Sequence, residues 1–442
     1  MPVAQQEQGI CHFIADQLAE ARSRTDALFS IVRPEYLYER PIAERHRIVF
    51  YIGHLEAFDW NLLSERALSL RPFHPDYDRL FAFGIDPVDG GLPSDRPSDW
   101  PKLDDVGSYV ARIRREIDSA LQRAIEQDAA PREFPLSQLL HVALEHRLMH
   151  AETLAYMFHR LPLEQKIRDR EDVDPSAPPL NPRMVPIPAG KARLGLQRDG
   201  SVFGWDNEFE QHMVDVPAFE IDQYPVTNAQ FLAFVNAGGY REKSHWTDAD
   251  WNWITRNRIE HPGFWLREGD RWKLRTMFEE IPLPGSWPVY VSHAEAAAYA
   301  HWAGKTLPTE AQWHRAAYGT PQCTEREYPW GSAAPGPEHG NFDFRRWNPT
   351  AVNAHPAGDS AFGVSDLLGN GWEWTSTLFG PFPGFEPFPF YLGYSANFFD
   401  NHHFVMKGGS SRTAACMLRR SFRNWFQPHY PHVYAGFRCV SH

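Results

Sequence analysis

The feature that most constrains this chain is a pair of histidines, His146 and His150, within the sequence HVALEHRLMHAETL. Because the neighbouring residues are mainly leucine, alanine and other helix formers, we predict a helix here. Residues four positions apart lie one above the other on the same helix face. Two neutral imidazoles in that arrangement can bind one divalent metal ion. A histidine pair at this spacing can equally be structural, so further ligands are needed to decide.

Two common metal chemistries fit this pair poorly. In the zinc peptidase motif H-E-x-x-H, a glutamate general base follows the first histidine, whereas this chain has Arg147 there. Di-iron carboxylate bundles use Glu-x-x-His pairs. Here alanine, arginine and tyrosine stand three residues before His146, His150 and the further candidate His54. A mononuclear site with histidine ligands and open coordination positions remains.

Composition limits the functions open to this chain. Its 442 residues are enough for two or three domains, and 43% hydrophobic and 23% charged residues are typical of a soluble globular protein. A formal charge of −12 argues against a nucleic-acid-binding surface. The sequence contains no run of about 18 apolar residues and no signal-peptide pattern at its N-terminus. We therefore expect a cytoplasmic protein that binds neither nucleic acid nor membrane.

Residues 1–165 predict an antiparallel four-helix bundle, whose interior is a common place for a metal site. The predicted helices span residues 10–29, 42–69, 106–125 and 136–161. His54 falls in an otherwise apolar part of the second helix. A lone histidine there is usually a core residue, but beside the pair in the fourth helix it becomes the better candidate for a third ligand. The Gly- and Pro-rich segment 84–100 predicts a long, functional loop.

The composition changes in the second half of the chain. Residues 166–183 are charged and proline-rich, which indicates a linker. Residues 184–442 contain short apolar runs, turns and many aromatic residues, with helical segments predicted near 227–237, 293–302 and 309–318. This pattern predicts an irregular α/β domain, so the whole chain is expected to be an α+β multidomain protein.

Several short motifs in residues 184–442 resemble the sulfatase-modifying-factor domain, which has a C-type-lectin-like fold shared with formylglycine-generating enzymes. The motifs are MVPIPAG from Met184, PVTN from Pro225, LPTEAQW from Leu307, GNGWEWT from Gly369, KGGS from Lys407 and AGFRC from Ala435. Together with a histidine-bearing bundle that is similar to DinB proteins, they resemble the EgtB/OvoA family of non-haem iron sulfoxide synthases. Two further motifs support this resemblance, GWDNE from Gly204 and FRNW from Phe422.

The resemblance implies a cofactor, a cosubstrate and a substrate. Family members use Fe(II) and O2 to bond a chalcogen to the imidazole ring of hercynine or histidine. By position, His54, His146 and His150 match the iron ligands. Asn424 and Trp425 match the pair that holds the trimethylated histidine, whose quaternary ammonium suits an aromatic face.

The resemblance also implies catalytic tyrosines in the segment YLGYS. Tyr391 matches the proton-donating tyrosine of the family, and we assign Tyr394 a supporting role. A phenol can donate a proton to a reacting oxygen. Met149 replaces a family glutamine that contacts the substrate, so that contact is lost or moved here.

This chain departs from the family where the thiol donor binds. Enzymes that take γ-glutamylcysteine have Asp directly after Asn-Trp and Arg four residues later, and these positions are Phe426 and Tyr430 here. The family's arginine-rich loop between helices two and three is replaced by GGLPSDRP, which contains Arg96. Loss of charged partners disfavours a charged donor. We expect a selenosugar donor, as in the selenoneine synthase (SenA) branch, with cysteine or γ-glutamylcysteine as alternatives.

Two hypotheses from other functional classes remain. A formylglycine-generating oxidase would need a close pair of reactive cysteines, whereas Cys416 and Cys439 are far apart in sequence. That hypothesis also leaves the histidines of the bundle unexplained. The other alternative is a non-catalytic binding module built on the lectin-like fold.

Overall fold

The computed structural model describes residues 3–82, 92–126, 133–167, 180, 182–200 and 202–441. The chain divides into two compact units, Met1–Asp169 and Arg170–His442. The first is helical and the second mixes short strands with short helices, which confirms the predicted α+β class. Most of the predicted linker, 166–183, lies outside the described residues. Within the described part of the chain, no helix is long and apolar enough to cross a membrane.

The first unit contains five α-helices in its described residues. They are α1 (Val3–Phe29), α2 (Ile48–Leu63), α3 (Pro75–Leu80), α4 (Leu103–Glu126) and α5 (Leu136–Arg160). Helix α1 packs against α5 and α4, α2 packs against α4 and α5, and the short α3 packs against α2. The four long helices therefore form the predicted bundle, with α2 and α5 buried along most of their length.

The predicted limits of the second helix, 42–69, were wrong at both ends. Arg47 is extended just before α2, and its guanidinium donates to the carbonyl oxygens of Tyr38 and Asp95, both at 2.8 Å. These bonds hold the chain out of a helical conformation. After α2 the chain turns, and Ser69 has a left-handed backbone with φ 51°. Helix α1 also begins earlier than predicted, and α3 was not predicted.

The described residues of the second unit form four small sheets. Its strands are β1 (Met184–Ile187), β2 (Gly190–Leu194), β3 (His212–Val216), β4 (Phe219–Asp222), β5 (Trp265–Glu268), β6 (Arg271–Arg275), β7 (Glu280–Pro282), β8 (Trp372–Leu378), β9 (Phe404–Lys407), β10 (Asn424–Phe426), β11 (Ala435–Gly436) and β12 (Val440–Ser441). The sheet orders are β1-β4-β12, β2-β3, β5-β6-β7 and β10-β9-β8-β11. All neighbouring strands are antiparallel except β11 and β8, which are parallel.

Three of the sequence motifs meet at one buried ion pair. Glu373 of β8 accepts a hydrogen bond from the Trp313 indole at 2.8 Å and two from Arg438, each at 2.6 Å. All three side chains are at most 1% exposed. A buried carboxylate needs such partners. This ion pair therefore explains why the motifs around Leu307, Gly369 and Ala435 occur together.

The helices of the second unit are α6 (Asn228–Asn236), α7 (Asp248–Asn257), α8 (His293–Trp302) and α9 (Glu310–Tyr318). Three of them lie where helical segments were predicted. Helix α7 was missed because its sequence, DADWNWITRN, lacks an apolar stripe. It is defined instead by its ends. The Thr247 side chain accepts from the Asp250 N–H, and Arg258 ends the helix with a left-handed backbone.

Gly53, which lies in α2 directly before His54, provides a test of packing. A Cβ atom at this position would lie 2.5 Å from the Phe81 ring. We expect Gly53→Ala to destabilise the protein by about 1–3 kcal/mol through overpacking, although alanine is the better helix former. Urea unfolding measures the change.

The matched control is Gly107→Ala in α4, where an added Cβ atom meets nothing within 4 Å. This change is expected to stabilise the protein by about 0.5–1 kcal/mol. Equal effects of the two substitutions would show that the contact between Gly53 and Phe81 does not limit packing.

Candidate metal centre

Three histidines from two helices of the first unit lie together. His54 is on α2, and His146 and His150 are on α5. One ring nitrogen from each lies within 4.8 Å of those of the other two, and all three side chains are buried. The ring centroids are 4.5–5.3 Å apart. The helical spacing brings the pair together, and the packing of α2 against α5 adds His54.

Burial keeps these three imidazoles neutral. It lowers the pKa of His54 to about 4 and the pKa values of His146 and His150 well below their usual range. The neighbouring imidazoles and Arg147 add to the effect by repelling a positive charge. A neutral imidazole keeps a lone pair for a metal. The site therefore offers three neutral nitrogen bases at neutral pH.

The hydrogen bonds of His54 show which of its nitrogens is available. Its Nδ1 lies 2.6 Å from the carbonyl oxygen of Phe81, which can only accept, so Nδ1 carries the proton and Nε2 has the lone pair. Nε2 of His54 and Nδ1 of His150 are buried without a hydrogen-bond partner in the described part of the chain. Buried polar atoms of this kind are costly. The three residues therefore fit a divalent metal such as Fe(II) that accepts imidazole ligands.

Aromatic rings cover the histidines. Phe58 stacks on His146 with ring centroids 3.4 Å apart and 11° between the planes. Phe50 stacks on His54 at 4.8 Å and 21°, and the Tyr51 ring lies 5.7 Å from His150. Apolar packing of this kind fixes the ring orientations and lowers the local polarity around a bound ion.

A buried ion cluster joins the two helices that carry the histidines. The Arg147 guanidinium, 1% exposed, donates to Asp59 Oδ2 at 2.8 Å and lies 3.0 Å from Glu56 Oε1. Burial alone would raise the pKa of Glu56, but Arg147, Arg114 and Arg22 together hold it below its ordinary value. The cluster therefore fixes α5 against α2, and with them the relative positions of the histidines.

The other two predicted site residues of the first unit, Met149 and Arg96, differ in solvent exposure. Met149 is half-buried on α5, between the paired histidines in sequence, whereas Arg96 is exposed. Its neighbour Asp95 binds Arg47 at 2.9 Å and the Trp100 indole at 2.7 Å. Part of the predicted loop, residues 83–91, lies outside the described residues. The structure therefore places Arg96 at the surface, in a segment that Asp95 ties to the bundle.

In the second unit, the predicted tyrosines lie near Trp425. Trp425 is half-buried in β10 and stacks on Phe379 with centroids 4.1 Å apart and 7° between planes. The edge of the Tyr394 ring meets Trp425 at 5.5 Å and 79°. Tyr391 is half-buried and lies 5.5 Å from Tyr394. The structure thus brings one predicted substrate residue and both predicted catalytic residues into one aromatic cluster.

Phe426 and Tyr430, the two residues that differ from the family pattern at the predicted donor site, contact each other. Phe426 and Tyr430 stack with centroids 5.2 Å apart and 7° between their planes. Asn424, also half-buried, accepts a hydrogen bond through Oδ1 from the backbone N–H of Trp425 at 2.9 Å. The segment 424–430 therefore presents an amide and flat aromatic surfaces.

Comparison with known proteins identifies the family. Residues 17–154 match the DinB superfamily, and residues 169–442 match the Sulfatase-modifying factor enzyme 1-like domain. A hercynine oxygenase of Mycolicibacterium smegmatis is 33% identical over 456 residues, covering 97% of this chain and 98% of that protein. The chain belongs to the EgtB-type family of hercynine oxygenases.

Two other relatives bear on the choice between functions. Ergothioneine biosynthesis protein 1 of Neurospora crassa is 28% identical over 491 residues, which cover 92% of this chain and 55% of that protein. The formylglycine-generating enzyme of Mycobacterium tuberculosis is 29% identical over 314 residues, covering 58% of this chain. The similarity to EgtB-type proteins therefore extends over a much larger part of the chain.

Sequence reasoning missed the residues that support the site in this family member. Arg147 was used only to exclude a zinc peptidase and a di-iron bundle, and Glu56 and Asp59 were not singled out. Their spacing carries a signal, since carboxylates three residues apart in an otherwise apolar helix lie on one face and require a buried cation. The stacking of Phe58 on His146 had no sequence signal, because it depends on how α2 and α5 pack.

The first prediction for the centre concerns the metal itself. Each of the three single substitutions of His54, His146 and His150 by alanine should lower Fe(II) affinity by at least about 100-fold. Loss of a residue that only supports a ligand costs up to about 100-fold, and loss of a ligand itself should cost at least as much. Anaerobic Fe(II) titration measures the affinity. His12→Ala, an exposed change on α1, is the control and should leave it unchanged. Fe(II) binding that survives all three substitutions would place the metal elsewhere.

The second prediction concerns Arg147. Arg147→Met leaves Glu56 and Asp59 without their main buried partner, so we expect a loss of about 3–5 kcal/mol in unfolding free energy. Fe(II) affinity of the folded protein should fall about 10- to 100-fold, as for other residues that support metal ligands. The exposed Arg79→Met should change stability by less than about 0.5 kcal/mol. Unaltered affinity in the Arg147 variant would show that the cluster serves stability alone.

Proposed function

We propose that this protein is an Fe(II)- and O2-dependent enzyme that forms a carbon–chalcogen bond on the imidazole ring of hercynine, with a selenosugar as the donor. The observation that carries the proposal is the centre of three buried, neutral histidines, His54, His146 and His150. The names of the relatives, hercynine oxygenase and ergothioneine biosynthesis protein 1, support the substrate and the reaction class. Iron, when bound, supplies the redox chemistry with O2.

The second unit supplies the residues proposed to bind hercynine. Trp425 offers an aromatic face to the trimethylammonium group through cation–π attraction. The stack of Trp425 on Phe379 holds the indole in one orientation, which reduces the entropy lost on binding. The Asn424 side chain supplies polar groups beside it. These two residues bind and orient the substrate before reaction.

The tyrosines have separate proposed roles. The half-buried Tyr391 is the proton donor, through its phenolic Oη. Tyr394 is buried between Trp205, at 3.9 Å, and Trp425, at 5.5 Å. That packing suits a residue that positions its neighbours, so Tyr394 supports Tyr391 without itself moving a proton.

The selenosugar assignment depends on Phe426 and Tyr430. Their stacked rings carry no charge, whereas the carboxylates of γ-glutamylcysteine need cationic partners when bound. A flat aromatic surface suits the apolar face of a neutral sugar ring. Cysteine and γ-glutamylcysteine, which would give a sulfoxide of the ergothioneine type, are the alternative donors.

The other functional classes are less well supported. Cys439 is fully buried, and burial beside Asp222 raises the pKa of its thiol well above the usual range. A raised pKa makes a thiol unreactive. Cys416, in contrast, is exposed. This combination gives little support to a formylglycine-generating oxidase, and a non-catalytic module would leave the histidine centre without a role.

The test is a comparison of donors. Fe(II)-loaded protein is incubated in air with hercynine and, in parallel, a selenosugar, cysteine or γ-glutamylcysteine, and product masses are recorded. We expect a selenium–hercynine product. A sulfoxide from either thiol, with no selenium product, would make the protein an ergothioneine-type synthase. No product with any donor would contradict the hercynine assignment.

A paired substitution tests the origin of the donor preference. Phe426→Asp with Tyr430→Arg should raise kcat/KM for γ-glutamylcysteine relative to the selenosugar by at least about 10-fold, the value of one charge-assisted hydrogen bond. The control is Trp330→Asp with Tyr328→Arg, because these rings also stack, at 5.1 Å and 4°. The control should leave the donor ratio unchanged. If both double variants had the same ratio of kcat/KM for γ-glutamylcysteine to kcat/KM for the selenosugar, residues 426 and 430 would not determine the donor preference.

A further inference from the structure

The motif GWDNE, residues 204–208, has no role in the function proposed above, yet it is among the most buried segments of the second unit. Four of its five residues, Trp205, Asp206, Asn207 and Glu208, are at most 1% exposed. Burying polar side chains costs free energy unless the side chains are hydrogen-bonded. Their partners show what this segment holds.

The first half of the motif contacts the segment that carries the tyrosines. The Trp205 ring stacks on Tyr394 with centroids 3.9 Å apart and 23° between planes. The centroid of the Trp205 ring lies 6.3 Å from that of Tyr391, with 68° between the planes. The Ser395 hydroxyl donates to Asp206 Oδ1 at 2.5 Å, and Ser395 is also fully buried. A hydroxyl bonded to a carboxylate is a short, strong hydrogen bond. Trp205 therefore packs against Tyr394 itself, and Asp206 holds the next residue, Ser395.

The second half of the motif contacts the segment that leads to Trp425. Glu208 accepts from Arg419 Nε at 2.8 Å and Nη2 at 2.5 Å, and from Ser421 Oγ at 2.6 Å. The backbone carbonyl of Asn207 accepts from Arg423 Nη1 at 3.3 Å. Since Arg423 directly precedes Asn424 in the chain, these bonds fix the approach to β10.

One rigid turn thus binds both segments. Glu208 also accepts from the backbone N–H of Trp205 at 2.8 Å, which closes the turn on itself. The two segments meet where the Tyr394 ring contacts the Trp425 ring. The distance between the tyrosines and the indole is therefore set by residues that are not among the proposed metal-binding, substrate-binding or catalytic residues.

We propose that Trp205–Glu208 is a positioning element that sets the distance between the tyrosine segment, Tyr391–Ser395, and the substrate-binding Trp425. The proposal rests on the function proposed above for those residues. Asp206 acts through Ser395 on the tyrosines, whereas Glu208 acts through Arg419 and Ser421 on the strand of Trp425. The two halves therefore affect different kinetic constants.

Kinetics of the full-length Fe(II)-loaded protein test the two halves separately. Ser395→Ala should lower kcat about 10- to 100-fold, the cost of a misplacement of about 1 Å, with little change in KM for hercynine. Glu208→Gln should mainly raise KM for hercynine. The matched control is Ser292→Ala, which removes a similar buried bond, from Ser292 Oγ to Glu295 Oε2 at 2.7 Å. It should leave both constants unchanged per folded molecule.

A measurement that does not depend on turnover tests the positioning role independently of the proposed function. Hydrogen exchange followed by mass spectrometry should show faster exchange in peptides covering 388–398 for Ser395→Ala and in peptides covering 419–426 for Glu208→Gln. Exchange in both sets of peptides should be unchanged for Ser292→Ala. If wild-type protein makes no product with any donor, the function fails, and exchange alone decides the positioning role. Unchanged exchange in both variants, or equal loss of kcat in the Ser292 control, would overturn the proposal.

Discussion

The buried contact between Arg147 and the carboxylates of Glu56 and Asp59 is the interaction on which the candidate centre depends. It joins the two helices that supply the histidines, and all three side chains are at most 1% exposed. Charges buried this deeply lose their hydration, so each must keep its partner. Because Arg147 directly follows His146, any shift of α5 along α2 would break the ion pairs and move the ligand together.

Burial has two opposing effects at the three histidines. It makes the imidazoles neutral and so able to bind a metal, but it also leaves Nε2 of His54 and Nδ1 of His150 without partners in the described part of the chain. Unsatisfied buried nitrogens destabilise the protein without metal, and a ligand that binds only the folded state adds stability. The same packing that creates the site therefore couples metal binding to folding.

The local part of this architecture could be predicted from sequence, and the non-local part could not. The helical spacing of His146 and His150, and the α+β class, follow from short-range patterns. The approach of His54 to them depends on how α2 packs against α5. The predicted bundle made His54 a candidate third ligand, and the resemblance to a family strengthened that prediction. The roles of Arg147 and of residues 204–208 were missed for the same reason. Their partners are as many as 122 residues away for Arg147 and 213 for Glu208.

The departures at Phe426 and Tyr430 are best understood as one change. Their rings stack, with centroids 5.2 Å apart, so a change at either position removes the aromatic partner of the other. A charge introduced at one position alone would lie half-buried against the remaining ring, which is favourable for a cation such as arginine but unfavourable for a carboxylate. The two positions are therefore coupled, and in the function proposed above they act on the donor as one uncharged aromatic surface.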